Sequence, residues 1–278
     1  MISSAIEAGD IEVGIAGGVE DMFTIPQGGF APDFNVKLAE QDYYISMGEG
    51  AELLADELNI SREEQEEFSF SSHEKAVAAR EAGKFDNEIV PITLEDGTII
   101  DQDSGPRNPD KEKIKSLNPA FRADGTVTAA TSSPFSIGAS AMLITSENFA
   151  NKHGLKIRAF IEGRAVAGVN WKMFGSGPVP ATKKALEKTG LSIDDIDALE
   201  LNEAFAAQAL YCIKKANWNP DKVNLNGGAV ALGHPLGISG TRIITTLLNV
   251  LEQNDKNTGL ATMCVGTGQG ITTIIKRG

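Results

Sequence analysis

The hydrophobic positions of this chain fall into short apolar runs separated by stretches of helical spacing, and the pattern is most regular in its second part. Apolar runs at Ile157–Val169, Ala198–Leu201, Val223–Asn226, Gly259–Cys264 and Ile271–Lys276 predict strands. Helical spacing over Pro180–Thr189, Ala204–Ala216 and Gly237–Gln253 predicts the helices between them. Alternation of this kind implies helices packed on a mostly parallel or mixed sheet. Nearer the start, residues 11–18 alternate and stop at Gly17-Gly18, as a buried strand ending in a turn would. Ala139–Ile144 reads as a second buried strand, after a Ser/Thr-rich turn. Between these two, residues 24–123 form a polar insert with a helix over Gly48–Leu58 and a longer one from Ser61 through Ala82. Ser61 and Glu64 make a capping box that specifies where the longer helix starts.

Three strand ends carry candidate chemistry. The run Leu199-Glu200-Leu201 delivers Asn202 and Glu203, an amide and a carboxylate, to the carboxyl end of a strand, where α/β proteins place ligands. The glycine-rich stretch from Asn226 to Gly237 sets His234 in a turn that opens a helix at Ser239; glycines let the backbone approach a ligand closely, and free N–H groups at a helix start attract negative charge. A third strand ends on Cys264 and then on Gly266 and Gly268. Alone, His234 would read as structural. With Asn202 and Cys264 it forms a candidate Cys/His site with an amide helper.

The segments Asn202-Glu203-Ala204-Phe205-Ala206, Asn226 to Gly237 and Cys264 to Gly270, in this order and spacing, resemble the thiolase family, the acetyl-CoA C-acyltransferases. Counterparts run through the chain, among them Ile15 to Glu20, Ser46-Met47-Gly48, Ile60 to Gln65, Gly125 to Ala129 and Gly177 to Thr182. The resemblance implies an α/β fold of the layered αβαβα kind, with an incomplete N-terminal half and a complete C-terminal half. Residues 1–23 and 124–147 would be a remnant of the N-terminal domain, residues 24–123 the loop domain over coenzyme A, and residues 148–278 the C-terminal domain. The implied activity interconverts 3-ketoacyl-CoA plus CoA with acyl-CoA plus acetyl-CoA. Coenzyme A and acyl-CoA would be substrates, with no permanently bound cofactor and no metal.

Site roles follow from the same resemblance. His234 would be the activating base, and Cys264 would exchange a proton with the α-carbon of acetyl-CoA or with the leaving thiol. His234 and a water held by Asn202 would make one oxyanion site, and the amide of Gly266 would contribute to the other. Glu203 would order this network; the alternative is an ordinary carboxylate facing a helix dipole. Met47 and Ser133 fall at coenzyme-contacting positions, and Phe205 lines either the acyl pocket or the core. Ser46, Thr131 and Ile137 depart from residues common in the family, which bears on coenzyme affinity and chain-length preference.

The family's nucleophilic cysteine would align roughly ten residues before Met1, so the covalent step lacks its residue here. Cys212, on a helix, reads as a small buried hydrophobe. The chain is therefore expected to act as the C-terminal portion of a thiolase, complemented by an N-terminal thiolase fragment or assembled as a homo-oligomer. The alternatives are an inactive acyl-CoA-binding remnant and a partner-stabilising subunit.

Composition narrows the setting. The 278 residues, 41 % hydrophobic, supply a sizeable core, and the two cysteines make no disulfide framework, so a reducing, cytoplasmic location is expected. No apolar run is long enough to span a membrane. A net charge of −13 disfavours nucleic acid and anionic membranes as partners. Coenzyme A is also anionic; Arg107, Lys111, Lys113, Lys115 and Arg122 form either its local positive patch or a solvated loop.

Overall fold

The computed structural model describes residues 1–24 and 32–278, so the first residues of the insert, 25–31, lie outside the described residues. In chain order, helix α1 (Ile2–Ala8) leads into strand β1 (Val13–Asp21), and α2 (Met47–Leu58) and α3 (Arg62–Glu81) occupy the insert. Strand β2 (Ile137–Thr145) returns from it, followed by β3 (Ala159–Gly168), α4 (Pro178–Thr189), β4 (Ala198–Leu201), α5 (Ala206–Ala216) and the one-turn α6 (Ala229–Leu232). The chain closes with α7 (Ser239–Gln253), β5 (Thr258–Val265) and β6 (Gln269–Arg277).

The four-stranded sheet has the order β3-β6-β5-β4, with β4 parallel to β5 and the other pairs antiparallel. Both faces of β4 are buried, Glu200 included, so its apolar residues Ala198, Leu199 and Leu201 fall on both sides instead of alternating. Ala198 and Ala261 pack against Ile243, Leu247 and Leu251 of α7. On the opposite face Leu199, Leu201 and Leu260 pack with α5 and with Leu54 of the insert. Leu247 is fully buried, and its truncation to Ala would cost about 2–5 kcal/mol.

A second sheet joins β1 and β2 antiparallel, in register from Val13 opposite Thr145 to Asp21 opposite Ile137. Here the expectation of buried strands needs correction. One face is open: Ile15, Val19, Ile137 and Leu143 are exposed, from 54 % for Leu143 to 78 % for Val19. Nor does β1 stop at Gly17-Gly18, because those glycines serve close approach within the strand. A Cβ on Gly17 would stand 2.7 Å from the Ser140 carbonyl, and one on Gly18 would overlap the Gly237 carbonyl.

Val223–Asn226 is not a strand either. Val223 makes a single parallel bridge to Leu199, after which Asn224 turns left-handed at φ 48°. The Asn224 side chain replaces the ladder, accepting from the Leu201 amide at 2.8 Å and donating to the Leu201 carbonyl at 2.9 Å. In the insert the Ser61–Glu64 capping box forms as expected. Ser46 caps α2 by accepting from the Glu49 amide at 3.1 Å. The buried Glu52 carboxylate accepts from the amides of Thr126 and Val127 and from the Thr126 hydroxyl, tying α2 to the segment that leads back toward β2.

Candidate active site

Asn202 follows the last residue of β4, and its amide donates to the Thr262 carbonyl of β5 at 3.0 Å. That bond sets Asn202 beside Met263 and Cys264. Its side chain is fully buried, yet neither its oxygen nor its nitrogen has a hydrogen-bond partner among the described residues. Leaving a buried primary amide unbonded costs about 1–3 kcal/mol per group, so the position is suited to a polar guest.

Glu203 is the hub next door. Its Oε2 accepts from the Ser72 hydroxyl at 2.7 Å and the Val230 amide at 3.0 Å, and its Oε1 accepts from Asn224 Nδ2 at 2.7 Å. The carboxylate lies flat on Gly228, where a Cβ would overlap it. Burial pushes its pKa up while these donors pull it down. The carboxylate therefore anchors the first turn of α6, not the start of α5.

One turn of helix later, Gly233 adopts φ 94°, with a would-be Cβ 2.4 Å from Ser136 Oγ, and the chain enters His234. His234 is 9 % exposed, and its Nδ1 lies 2.6 Å from Ser239 Oγ. The Ser239 hydroxyl donates to the Pro235 carbonyl at 2.9 Å, so its lone pairs face the ring. Nδ1 must then carry the proton, and the lone pair rests on Nε2. Burial first, and the Arg242 charge second, lower the pKa of His234 to about 4, which keeps the ring neutral.

Cys264 is the penultimate residue of β5, 6 % exposed, with its thiol pushed up to about 12 by burial. A Cβ on Gly240 would stand 3.8 Å from Met263 Sδ, so the start of α7 abuts β5 one residue from Cys264. After Val265, which pairs with Gln269, the amide of Gly266 leaves the ladder in an exposed turn. Cys212 is different: fully buried on α5, it donates to the Gly175 carbonyl at 3.2 Å, and burial raises its pKa strongly.

The residues expected from the resemblance to lie beside coenzyme A form a second group. Phe205 is buried at 8 % exposure, packs edge-on against Phe121 at 5.8 Å between centroids, and bridges to Ser132. The Ser133 amide donates to the Ala204 carbonyl at 3.0 Å, and its side chain is half-buried. Gly48 supports the same Phe121 ring, placing the adjoining, exposed Met47 on this wall. Arg122 does not belong to a free positive patch. Its guanidinium is engaged by Asp56 at 2.9 Å, Asp124 at 3.4 Å and the buried Glu52 at 3.8 Å. Lys111 lies over the Phe70 ring, and Lys115 faces Glu112.

Sequence reasoning did not find Ser72, Ser239 or Phe121. Ser239 had a signal, a hydroxyl at the helix start just after the histidine. Ser72 had none, being 131 residues from Glu203 in sequence.

Two family models, for the thiolase N-terminal and C-terminal domains, match residues 1–148 and 155–277. The chain belongs to the thiolase family. It is 50 % identical over 285 aligned positions to a 3-ketoacyl-CoA thiolase of Vibrio parahaemolyticus, covering 98 % of this chain and 72 % of that protein. The dimeric peroxisomal thiolase of Saccharomyces cerevisiae superposes with a TM-score of 0.93 at 40 % identity, covering all of this chain and 72 % of that one. Human mitochondrial 3-ketoacyl-CoA thiolase superposes at 0.89 and 36 % identity, covering 99 % of this chain and 74 % of that one. The two sheets and their helices therefore have the thiolase fold.

Proposed function

We propose that this thiolase-family chain provides the histidine–cysteine part of an acyltransferase site that interconverts 3-ketoacyl-CoA plus CoA with acyl-CoA plus acetyl-CoA. The observation that carries it is the convergence of an unpartnered buried amide at Asn202, a neutral His234 with its lone pair on Nε2, and a protonated Cys264. The names of the relatives point to the same substrate class.

In the cleavage direction, His234 Nε2 takes the proton of an attacking thiol as its sulfur adds to the 3-keto carbon. The Gly266 amide donates to the resulting oxyanion. When the C2–C3 bond breaks, its electron pair passes to an acetyl-CoA enolate, whose oxygen is met by His234 Nε2–H and a water on Asn202. Cys264 gives its proton to C2. A thiol held near pKa 12 keeps that proton until a base as strong as an enolate appears. The thiol of CoA then returns a proton to the Cys264 sulfur as it attacks the acyl thioester, and His234 reprotonates the departing thiolate. Every proton is restored.

Neither Cys212 nor Cys264 supplies the attacking thiol. We assign it to a segment outside the 278 residues of this sequence, seated against the exposed face of β1 and β2 on the same or another chain. A second copy of the chain can contribute to covering that face. In this reading residues 1–23 and 124–147 form one half, 148–278 forms the other, and 24–123 covers coenzyme A, with Met47 of the insert joining Ser133 and Phe205 of the two halves in one wall. No helix among the described residues is long and apolar enough to cross a membrane. With two unpaired cysteines, we place the protein in the cytoplasm.

The test is CoA-dependent cleavage of acetoacetyl-CoA, by the chain alone and with a thiolase N-terminal segment carrying a cysteine. Activity with the segment, lost in His234→Ala and Cys264→Ala, is the expected result. Acyl-CoA binding with no turnover in any combination would overturn the proposal.

A further inference from the structure

The insert helix α3 reaches the loops of Glu203 and Gly228 through a buried hydroxyl, and Lys75 one turn on donates to the Val223 carbonyl at 3.1 Å. Ser72, 3 % exposed, donates its hydroxyl proton to Glu203 Oε2 at 2.7 Å and accepts from the Gly228 amide at 3.1 Å. Its own backbone is part of the contact, because a Cβ on Gly227, at φ 82°, would stand 2.6 Å from the Ser72 carbonyl oxygen and 2.7 Å from Ala76 Cβ. Glu203 is joined by a peptide bond to Asn202, and Gly228 caps the single helical turn that ends at Leu232, two residues before His234. One hydroxyl therefore spans the two loops that carry these side chains.

We propose that Ser72 is a positioning residue for the reaction, setting the separation of Asn202 and His234 by holding the Glu203 carboxylate to the Gly228 amide. The inference rests on the acyltransferase reading above. Ser72 lies on the insert, so it also makes the placement of α3 a condition of the catalytic geometry: a shift of the helix by less than a hydrogen-bond length releases both loops at once. An alanine here would leave Glu203 one donor short and the Gly228 N–H without its acceptor inside the core, and the strain would be taken up by the glycine turn, which has no side chains to resist it.

Two readouts separate this role from simple support of the fold. In the complemented enzyme, Ser72→Ala is expected to lower kcat about tenfold, the equivalent of one hydrogen bond, with KM for acetoacetyl-CoA unchanged, and Ser72→Thr is expected to recover most of the loss. In the chain by itself, proton NMR follows the rings directly, since there are three histidines to assign. Ser72→Ala should move the His234 titration upward from about 4 as the ring gains solvent. An unshifted His234 titration together with an unchanged kcat would overturn the inference, as would an equal loss of kcat in the alanine and threonine variants. If the unsubstituted enzyme fails to turn over but His234 still shifts in Ser72→Ala, the acyltransferase reading falls and the positioning of His234 by Ser72 stands.

Discussion

Ser239 Oγ lies 2.6 Å from His234 Nδ1 and is itself committed as a donor to the Pro235 carbonyl, so it receives the ring proton and leaves Nε2 as the base. Ser239→Ala removes that acceptor without touching the reacting atoms. The expected loss in kcat is about tenfold, against roughly 100-fold or more for His234→Ala. Steady-state cleavage of acetoacetyl-CoA by both variants checks the ratio; equal losses would mean that the hydroxyl does more than fix the tautomer.

The two cysteines should separate cleanly. Cys264→Ala is expected to reduce turnover at least about 100-fold, because no other thiol can deliver a proton to the substrate carbon. Cys212→Ala is expected to cost about 1 kcal/mol of stability through lost packing on α5 and to leave turnover intact. Urea denaturation and rate measurements on the same two preparations decide it.

Acid sensitivity follows from two buried imidazoles. Burial lowers both His73 and His234 to about 4 in the folded protein, against 6.5 when unfolded. Between those values the unfolded chain binds more protons, so this contribution is fully present above pH 6.5 and is lost as the pH falls toward 4. Glu200 works in the opposite sense: raised to about 8 by burial, it withdraws stability as the pH rises from 4.5 toward 8. Glu88, Asp103 and Glu203 are raised by burial in the same sense, so the imidazole contribution is read by difference: between pH 4 and 6.5, acidification should favour unfolding more in the unsubstituted chain than in His73→Phe.

The open face of β1 and β2 predicts association. Ile15, Val19, Ile137 and Leu143 form an apolar surface on paired strands, of the kind that captures partners or copies of itself. Sedimentation of the chain at micromolar concentration is expected to reveal species larger than a monomer, and Val19→Asp with Leu143→Lys should shift them toward it. A monodisperse monomer of the unsubstituted chain would refute this.

Much of the C-terminal sheet was legible because its determinants are local. Ala198–Leu201 is apolar but for Glu200, and Gly259–Cys264 is followed by glycines, so both strands and the residues at their ends could be placed from the pattern. The failures have one physical cause, side chains or contacts distant in sequence. Asn224 substitutes its amide for a ladder bond to Leu201, which turns an apparent strand into a bend. Gly17 and Gly18 read as a turn, but they are places where another backbone comes close. For Glu203 the sequence left two readings, an organiser of the site or a helix-start carboxylate, because its partners Ser72 and Val230 are far away along the chain. For Arg122 neither reading, a coenzyme patch or a solvated loop, included its pairing with Glu52 and Asp56, which requires the insert to fold back.

Gly18 sits directly beneath the Gly237 carbonyl, and Gly138 lies 3.0 Å, measured from a would-be Cβ, from the Pro235 ring. The turn that holds His234 is thus seated on the β1–β2 pair at two points where a side chain has no room. A slip of β1 by one residue would invert its faces and thrust Val19 into that seat. Strand pairing in this protein therefore works as a ruler for an imidazole carried on a turn between two helices, and the molar activity of a preparation counts the molecules whose first strands are in register.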